Sequence, residues 1–323
     1  MSSSEPTIVV TRRWPAPVEE ELLRRYPGVR LNSADQPLSR AELGEALGMA
    51  DVVLPTVSDR IGPELFDGAL RTRFIGNFGV GFNHIDVDAA RRRGVVVTNT
   101  PGVLTDATAD LAMMLMLMVA RRAGEGEREL RAGEWTGWRP THLLGAEVAG
   151  RTLGVVGMGR IGRALARRAH FGFGMDVVFC QRGGPVEPPV PGARRLAGVD
   201  DVLAAADFVS LHIPGGGANS GLIDAGRLAL MKPTGFLVNT ARGDVVDQCA
   251  LAAALRTGVL AGAGIDVYQD EPSVPTALRE LENVVLLPHL GSATLSTRIA
   301  MGMAVLDNLA AFLDGREPPA RVA

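Results

Sequence analysis

The sequence has few of the features that would place it outside the ordinary globular proteins. Its two cysteines, Cys180 and Cys249, form no Cys-x-x-Cys pair, which excludes a disulfide framework and a zinc cluster. The N-terminus has neither the basic segment nor the apolar core of a secretory signal. The longest apolar run, Leu111–Ala120, is too short to span a bilayer. We therefore expect a cytoplasmic protein in which this run is a helix, buried in the core or at a subunit interface.

The chain also lacks a strong excess of either charge. Its net charge is −3 and its isoelectric point is about 6.0, which argues against nucleic acid and anionic membranes as partners. A length of 323 residues, of which 46% are hydrophobic, is enough for about two domains with sizeable cores. The composition thus favours an ordinary soluble protein.

Short apolar runs alternate with amphipathic segments along most of the chain. The predicted strands are Thr7–Thr11, Asp51–Leu54, Arg73–Ile75, Val95–Thr98, Leu153–Val156, Asp176–Cys180, Phe208–His212, Gly235–Asn239, Gly262–Asp266 and Val284–Leu287. The segments between them, among them Val18–Tyr26, Ser39–Leu47 and Pro63–Leu70, are predicted helices. This alternation predicts an α/β fold with parallel sheets.

A glycine-rich turn follows the strand Leu153–Val156 and opens a helix over Arg160–Phe171. Gly157, Gly159 and Gly162 have the Gly-x-Gly-x-x-Gly spacing of dinucleotide-binding folds. They permit a tight turn, close approach of a pyrophosphate and close packing of helix on strand. The sequence therefore predicts a dinucleotide-binding Rossmann domain over residues 101–291. It is inserted into a discontinuous, flavodoxin-like substrate-binding domain formed by residues 1–100 and 292–323, so that both domains are doubly wound.

Three chemically suitable side chains follow predicted strands, where open α/β sheets bind ligands. Arg242 can bind a carboxylate or carbonyl through its planar, charged guanidinium. Histidine side chains as a class titrate near neutral pH, so His289 is suited to donating a proton. Glu271 can hold the other ring nitrogen of that histidine. Taken singly, Arg242 is consistent with a surface arginine, Glu271 with a solvated turn residue and His289 with a core histidine. Only their shared position at strand ends favours catalysis.

Several segments together resemble the D-isomer-specific 2-hydroxyacid dehydrogenase family, and within it the glyoxylate and hydroxypyruvate reductases. The matching segments are Asn77–Gly81, Val103–Asp110, Gly137–Pro140, Gly157–Gly162, Asn239–Gly243, Gly264–Pro272 and Pro288–Thr294. The resemblance implies that Arg242, Glu271 and His289 are catalytic and that the N–H groups of Val80 and Gly81 bind the substrate carboxylate. It further implies cofactor contacts from Thr108, Gly157, Met158, Gly159, Arg160, Ile161, Gly162, His212, Pro214, Thr240 and Asp266, with no metal.

Two departures from the family bear on the cofactor. The histidine His212 is followed by Pro214-Gly-Gly-Gly217 where many members have Pro-Leu-Thr. The acid that accepts the ribose 2′-hydroxyl in NAD-binding folds is absent after Cys180, where Gln181 and Arg182 stand instead. Because Arg182 can pair with a phosphate, we expect NADP(H) to be preferred over NAD(H). The alternative is that Arg182 stacks on the adenine or faces solvent.

The leading hypothesis is the reduction of a short 2-oxo acid to the D-2-hydroxy acid in a cleft between the domains. Another D-2-hydroxyacid dehydrogenase, acting on lactate-like or larger substrates, is the alternative within the same class. A non-catalytic dinucleotide sensor and a protein that binds an S-adenosyl ligand are alternatives from other classes. The resemblance also implies a homodimer in which Leu111–Ala120 lies at the interface and Trp138 extends toward the partner.

Overall fold

The computed structural model describes residues 5–184 and 186–323, and the chain forms two compact units. The smaller unit combines the residues up to Leu104 with Ala293–Ala323, and the larger unit is Thr105–Ser292. The first four residues, part of the N-terminus interpreted above, lie outside the described residues. Among the described residues, no helix is both long and apolar enough to cross a membrane.

The smaller unit contains a four-stranded parallel sheet in the order β1-β2-β3-β4. Its strands are Ile8–Val10 (β1), Val52–Leu54 (β2), Phe74–Gly76 (β3) and Val96–Thr98 (β4). Arg30 adds a parallel bridge to Val9 of β1. With Arg30 counted as the second extended segment, the order is 2-1-3-4-5, which is that of flavodoxin-like sheets. The predicted α/β class and parallel pairing are therefore confirmed for this unit.

The helices of the smaller unit are Ala16–Arg25 (α1), Arg40–Met49 (α2), Val87–Arg92 (α3) and a C-terminal helix, Leu295–Leu313. Ser39 begins α2 with a reciprocal pair of hydrogen bonds to Glu42, which satisfies N–H groups that the first turn leaves unpaired. The prediction of a helix over Pro63–Leu70 was wrong. Only the 3₁₀ turn Pro63–Leu65 forms, because Asp67 and Gly68 favour a turn over helix continuation.

The larger unit contains a seven-stranded parallel sheet in the order β11-β10-β9-β8-β5-β6-β7. Its strands are Thr152–Val156 (β5), Asp176–Cys180 (β6), Arg194–Arg195 (β7), Phe208–Leu211 (β8), Phe236–Asn239 (β9), Gly262–Ile265 (β10) and Val284–Leu286 (β11). The chain runs outward from β5 to β7 and then returns to β8 on the other side of β5. A doubly wound sheet binds its ligand at such a reversal of strand order.

Both faces of this sheet are covered by apolar side chains. Its helices are Thr105–Ala120 (α4), Ala123–Ala132 (α5), Arg160–Phe173 (α6), Val199–Ala205 (α7), Ala225–Leu228 (α8), Gln248–Arg256 (α9) and Thr276–Arg279 (α10). Consecutive strand residues such as Val155 and Val156, or Leu237 and Val238, belong to different core clusters. Because successive side chains of a strand point to opposite faces, the sheet has one core on each face.

Two elements of the larger unit, the helix α5 and the two-residue strand β7, were not predicted from the sequence. The charged segment after α4 forms the helix α5, which has no buried residue and ends at Gly133 in the left-handed conformation. Its i,i+4 pair of Glu127 and Arg131 and the terminal glycine were the available signals. The apolar run predicted as a helix lies in α4, where Leu115 and Met116 are fully buried and Met114 remains 38% exposed.

Candidate active site

The predicted catalytic residues of the larger unit follow three adjacent strands. Arg242 comes after β9, Glu271 after β10 and His289 after β11. Because the strands are parallel and neighbouring, their carboxyl ends share one edge of the sheet. Of the predicted dinucleotide contacts, all but Thr108, which lies in α4, follow β5, β6, β8, β9 or β10 at the same edge. The fold therefore brings side chains that lie far apart in the sequence to one place.

The glycine turn after β5 has no room for larger side chains at two of its three positions. Gly157 has φ of +99°, and a Cβ there would collide with the carbonyl oxygen of His212. A Cβ on Gly162 would collide with the carbonyl oxygen of Gly157. Gly159 is exposed, begins α6 and has open space at its Cβ position. The turn thus presents bare backbone at the N-terminus of α6, as a pyrophosphate requires.

The other residues of this turn divide into packed and accessible ones. Met158 is buried and Ile161 is partly buried, so their side chains belong to the core and only their backbone can face a ligand. Arg160, the first residue of α6, is exposed. The predicted contact through Met158–Gly162 therefore depends on main-chain N–H groups rather than on side chains.

Two buried polar atoms at this edge fit a bound dinucleotide. Within the described part of the chain, Oγ1 of Thr240 after β9 and Oε1 of Gln181 after β6 are buried without a hydrogen-bond partner. Buried polar atoms are nearly always paired, so an unpaired atom at a sheet edge indicates a place for a ligand group. Together with the exposed glycine turn, they make the residues present suitable for a dinucleotide.

The loop after β6, where an NAD-binding fold carries its acid, is exposed at Arg182, Gly183 and Gly184. Arg195 of β7 donates hydrogen bonds to the carbonyl oxygens of Gln181, Gly183 and Gly184 at 2.8–3.0 Å. The backbone of the loop is therefore held from one side. The Arg182 side chain remains accessible to a ligand at the end of β6.

The glycine segment after β8 is organised by Asp244. The carboxylate of Asp244 accepts a hydrogen bond from the N–H of Gly216 at 2.6 Å, and a Cβ on Gly215 would collide with it. Pro214 is exposed, and its carbonyl accepts from Asn219. Burial lowers the pKa of His212 to about 4, and its Nε2 lies 2.9 Å from Oγ of Ser210. His212 is therefore a neutral polar group at the working pH.

His289 and Glu271 form the central pair of the site. Nδ1 of His289 lies 2.8 Å from Oε2 of Glu271, and both side chains are about one-third exposed. Burial alone would raise the pKa of Glu271. The hydrogen bond and charge of His289, the N–H of Tyr268 and the charge of Arg242 together lower that pKa below its ordinary value. Glu271 is therefore ionised and favours the protonated imidazole.

The backbone of His289 adopts φ of +56°, a left-handed conformation that residues with a side chain rarely adopt. Its N–H donates to the carbonyl oxygen of Asp266 at 2.9 Å. The Asp266 carboxylate accepts from the N–H groups of Leu290 and Gly291 at 2.7 and 2.8 Å. These bonds hold the strained turn in place, as is common for residues that carry function.

Asp266 thus has a structural task beyond the predicted cofactor contact. It is 1% exposed, and burial raises its pKa to about 6 despite the N–H groups that stabilise its charge. Thr108 of α4 is also buried and lies beside Gly291. The cofactor contacts predicted for Asp266 and Thr108 remain predictions.

Arg242 is placed by the turn that ends β9. The side chain of Asn239 closes this turn by donating to the carbonyl of Arg242 and accepting from the N–H of Ala241. Gly243 follows because a Cβ there would overlap the backbone of Tyr268. Burial lowers the pKa of Arg242, while the charges of Glu271 and Asp244 raise it. The guanidinium stays charged and is partly shielded from solvent, which suits the binding of an anion.

The predicted carboxylate-binding loop lies in the smaller unit, after β3. Val80 and Gly81 are partly buried there, and Asn77 and Asn99 form hydrogen bonds with the loop's carbonyl groups. Sequence reasoning did not identify the side chains of Asn77 and Asn99 as functional. The signal available was an asparagine directly after each of two predicted strands, Arg73–Ile75 and Val95–Thr98.

Comparisons with known proteins find relatives that match most of the chain. The model of the family described as D-isomer specific 2-hydroxyacid dehydrogenase, NAD binding domain, matches residues 113–291. A glyoxylate reductase of Thermococcus kodakarensis is 43% identical over 321 residues, covering 98% of this chain and 96% of that protein. The structure of an NADPH-dependent glyoxylate/hydroxypyruvate reductase from Sinorhizobium meliloti, in complex with NADP and malonate, is 36% identical with a TM-score of 0.86. It covers 99% of this chain and 97% of its own. The similarity therefore extends over both units.

Proposed function

This chain belongs to the family of D-isomer-specific 2-hydroxyacid dehydrogenases, an oxidoreductase family, and from that premise we propose that it reduces a short 2-oxo acid of the glyoxylate or hydroxypyruvate type to the D-2-hydroxy acid. The observation that carries the proposal is the His289–Glu271 pair beside Arg242, at the sheet edge that also bears the glycine turn. The similarity to named glyoxylate reductases supports this choice of substrate.

In this proposal each side chain of the trio has one task. Arg242 binds the carboxylate or the carbonyl oxygen of the substrate through its charged guanidinium. His289, held at Nδ1 by Glu271, donates the proton on Nε2 to the carbonyl oxygen. The nicotinamide, when bound, supplies the hydride for the carbonyl carbon. A proton on oxygen and a hydride on carbon together give the hydroxy acid, and Glu271 stabilises the imidazolium until its proton is transferred.

The larger unit is a nicotinamide-dinucleotide-binding domain, and we propose that it prefers NADP(H). Gln181 carries no charge that would repel a 2′-phosphate, and the exposed Arg182 provides a cation at the end of β6. The other cofactor groups in the proposal are the N–H groups of the glycine turn, Thr108, His212, Pro214, Thr240 and Asp266. NAD(H) is the alternative, in which Oε1 of Gln181 accepts a ribose hydroxyl.

One kinetic screen tests substrate and cofactor together. We expect kcat/KM for glyoxylate and hydroxypyruvate to exceed that for pyruvate and larger 2-oxo acids, and NADPH to outperform NADH at a saturating oxo acid concentration. A tenfold advantage of NADH would refute the cofactor proposal. Higher kcat/KM for lactate-type substrates would favour the alternative dehydrogenase, and cofactor binding without turnover of any oxo acid would favour a dinucleotide sensor.

We also propose that the protein is a homodimer. Several large apolar side chains of residues 114–144 are exposed in the single chain, including Leu130 at 63%, Trp138 at 82% and Leu144 at 66%. Exposed apolar side chains that are concentrated in one segment are typical of an interaction site, whereas single exposed apolar side chains are not. Light scattering at micromolar concentration should give the mass of two chains, and a monomer mass would refute this proposal.

A further inference from the structure

The loop after β3 is held by hydrogen bonds from two buried asparagine side chains. Nδ2 of Asn77 donates to the carbonyl oxygens of Gly79 and Gly81, each at 3.0 Å. Nδ2 of Asn99 donates to the carbonyl oxygen of Val80 at 2.7 Å. Three consecutive carbonyl groups of the loop are thus bound to side-chain amides. Asn77 is fully buried and Asn99 is 8% exposed, so both amides are shielded from competing water.

This arrangement fixes the direction of the N–H groups as well. In a trans peptide the carbonyl of one residue and the N–H of the next lie in one plane and point in opposite directions. The carbonyl of Gly79 points to Asn77, so the N–H of Val80 points away from that side chain. The carbonyl of Val80 points to Asn99, so the N–H of Gly81 points away from Asn99. Asn99 therefore aims the N–H of Gly81, whereas Asn77 aims the N–H of Val80 together with the backbone of Thr100, whose N–H also donates to the carbonyl of Gly79 at 3.1 Å.

The two N–H groups remain available to a ligand. Among the described residues, no protein acceptor is recorded for the N–H of Val80 or of Gly81, whereas the N–H of Gly79 donates to Asn77. Consecutive backbone N–H groups with fixed direction bind anions such as carboxylates. Gly79 itself cannot carry a side chain without displacing Val57, because a Cβ would lie 2.9 Å from a methyl of that residue.

His84 determines the orientation of the side-chain amide of Asn77. Nε2 of His84 lies 3.0 Å from Oδ1 of Asn77. Because the amide nitrogen of Asn77 is occupied by two carbonyl oxygens, its oxygen faces His84 and the hydrogen is on Nε2 of the histidine. A flipped amide would place NH₂ against this donor and an oxygen against two carbonyls, which is unfavourable on both sides.

We propose that Asn77 and Asn99 are positioning residues for recognition of the substrate carboxylate, and that His84 locks the orientation of the Asn77 amide. The inference rests on the proposed function, since it requires a substrate that carries a carboxylate. The asparagines act through the backbone of Val80 and Gly81 and do not themselves contact the substrate. Their loss should weaken carboxylate binding without impairing the binding of the dinucleotide.

The test compares Asn77→Ala and Asn99→Ala with the matched control Asn283→Ala. Asn283 also donates to two backbone carbonyl oxygens, those of Leu255 and Ala261, both at 3.2 Å, but it lies at the amino end of β11. We expect KM for glyoxylate to rise about tenfold to a hundredfold in Asn77→Ala and Asn99→Ala, with a smaller change in kcat. The NADPH dissociation constant, measured by fluorescence, should stay unchanged, and Asn283→Ala should retain the wild-type KM.

A second pair of variants keeps the inference testable if a buried asparagine cannot be removed without unfolding. His84→Leu should raise KM, and His84→Gln should raise it less, because glutamine retains an N–H donor for Oδ1 of Asn77. A folded Asn99→Ala and a folded His84→Leu with wild-type KM would overturn the inference. So would a loss of kcat at constant KM in Asn77→Ala, since that would place the residue in the chemical step.

Calorimetry with oxalate, an unreactive carboxylate, separates this inference from the proposed function. If wild-type protein reduces no 2-oxo acid, the proposed function fails. In that case, oxalate could still bind the wild-type protein. If it bound Asn99→Ala at least tenfold more weakly, the result would still support the loop's role. Equal affinity of both proteins for oxalate, or no binding to either, would overturn it.

Discussion

Two regions at strand ends of the larger unit differ in how firmly their side chains are held. After β10 and β11, Asp266, Glu271 and His289 are joined by hydrogen bonds to one another and to the backbone between them. After β6, Arg195 binds only carbonyl oxygens, and Arg182 stays exposed. Proton transfer depends on fixed geometry, because a displaced donor loses rate steeply. Recognition of a phosphate by an exposed arginine tolerates a mobile side chain.

This contrast indicates where the protein can change without losing its fold. Substitutions in the connected region after β10 and β11 alter the turn that carries His289 at positive φ. Substitutions at Gln181 or Arg182 alter side chains of a loop whose backbone is held independently by Arg195. We therefore expect changes in the first region to affect the chemical step with either cofactor, and changes in the second to affect the choice of cofactor.

The largest effect is expected from His289→Asn. Asparagine tolerates the left-handed backbone but cannot donate the proton, so kcat should fall by about 10² to 10⁴-fold with both NADPH and NADH. The binding of either cofactor should change little. His170→Asn is the control, since Nδ1 of His170 lies 3.1 Å from the carbonyl oxygen of Met175 at the far end of α6. Turnover of His289→Asn at the wild-type rate would remove His289 from the mechanism.

A smaller and cofactor-specific effect is expected from Arg182→Ser. Loss of a charge-assisted bond to the 2′-phosphate should lower kcat/KM for NADPH about tenfold to a hundredfold and leave that for NADH nearly constant. Arg194→Ser, which removes a neighbouring exposed arginine of β7, should change neither value. An equal loss with both cofactors would show that Arg182 serves the adenine or the loop instead, and the contrast between the two regions would then disappear.

The smallest effect is expected from Glu271→Gln, and it should appear in the pH profile. Reduction needs protonated His289, and the ionised Glu271 at 2.8 Å favours that form. The neutral glutamine removes this support, so the alkaline limit of glyoxylate reduction should move to lower pH. The direction follows because the pKa of Glu271 lies below its ordinary value, which keeps Glu271 charged across the working range. Glu280→Gln, an exposed carboxylate of the same strand connection, is the control, and a profile identical to wild type in Glu271→Gln would contradict the role.

Much of the fold could be predicted because its signals are local. Each predicted strand overlaps an observed one, since buried parallel strands are short apolar runs. Helix α5 was missed because none of its residues is buried and its sequence shows no apolar stripe. The helix predicted at Pro63–Leu70 failed because apolar spacing was given more weight than the Asp67-Gly68 turn. The parallel bridge between Arg30 and Val9 could not be predicted, because a bridge of one residue leaves no periodic pattern in the sequence.

The sequence by itself determined the glycine turn, the positions of Arg242, Glu271 and His289 after predicted strands, and their residue types. Each of these depends on neighbours in the chain, where steric and periodic constraints act directly. Only the tertiary structure decided that Glu271 meets Nδ1 of His289 across 18 residues and that Asp266 supports the turn that carries His289. It also decided that Asn77 and Asn99 bind one loop from two strands. Such contacts depend on strand pairing and on the direction of single side chains, which local patterns do not encode.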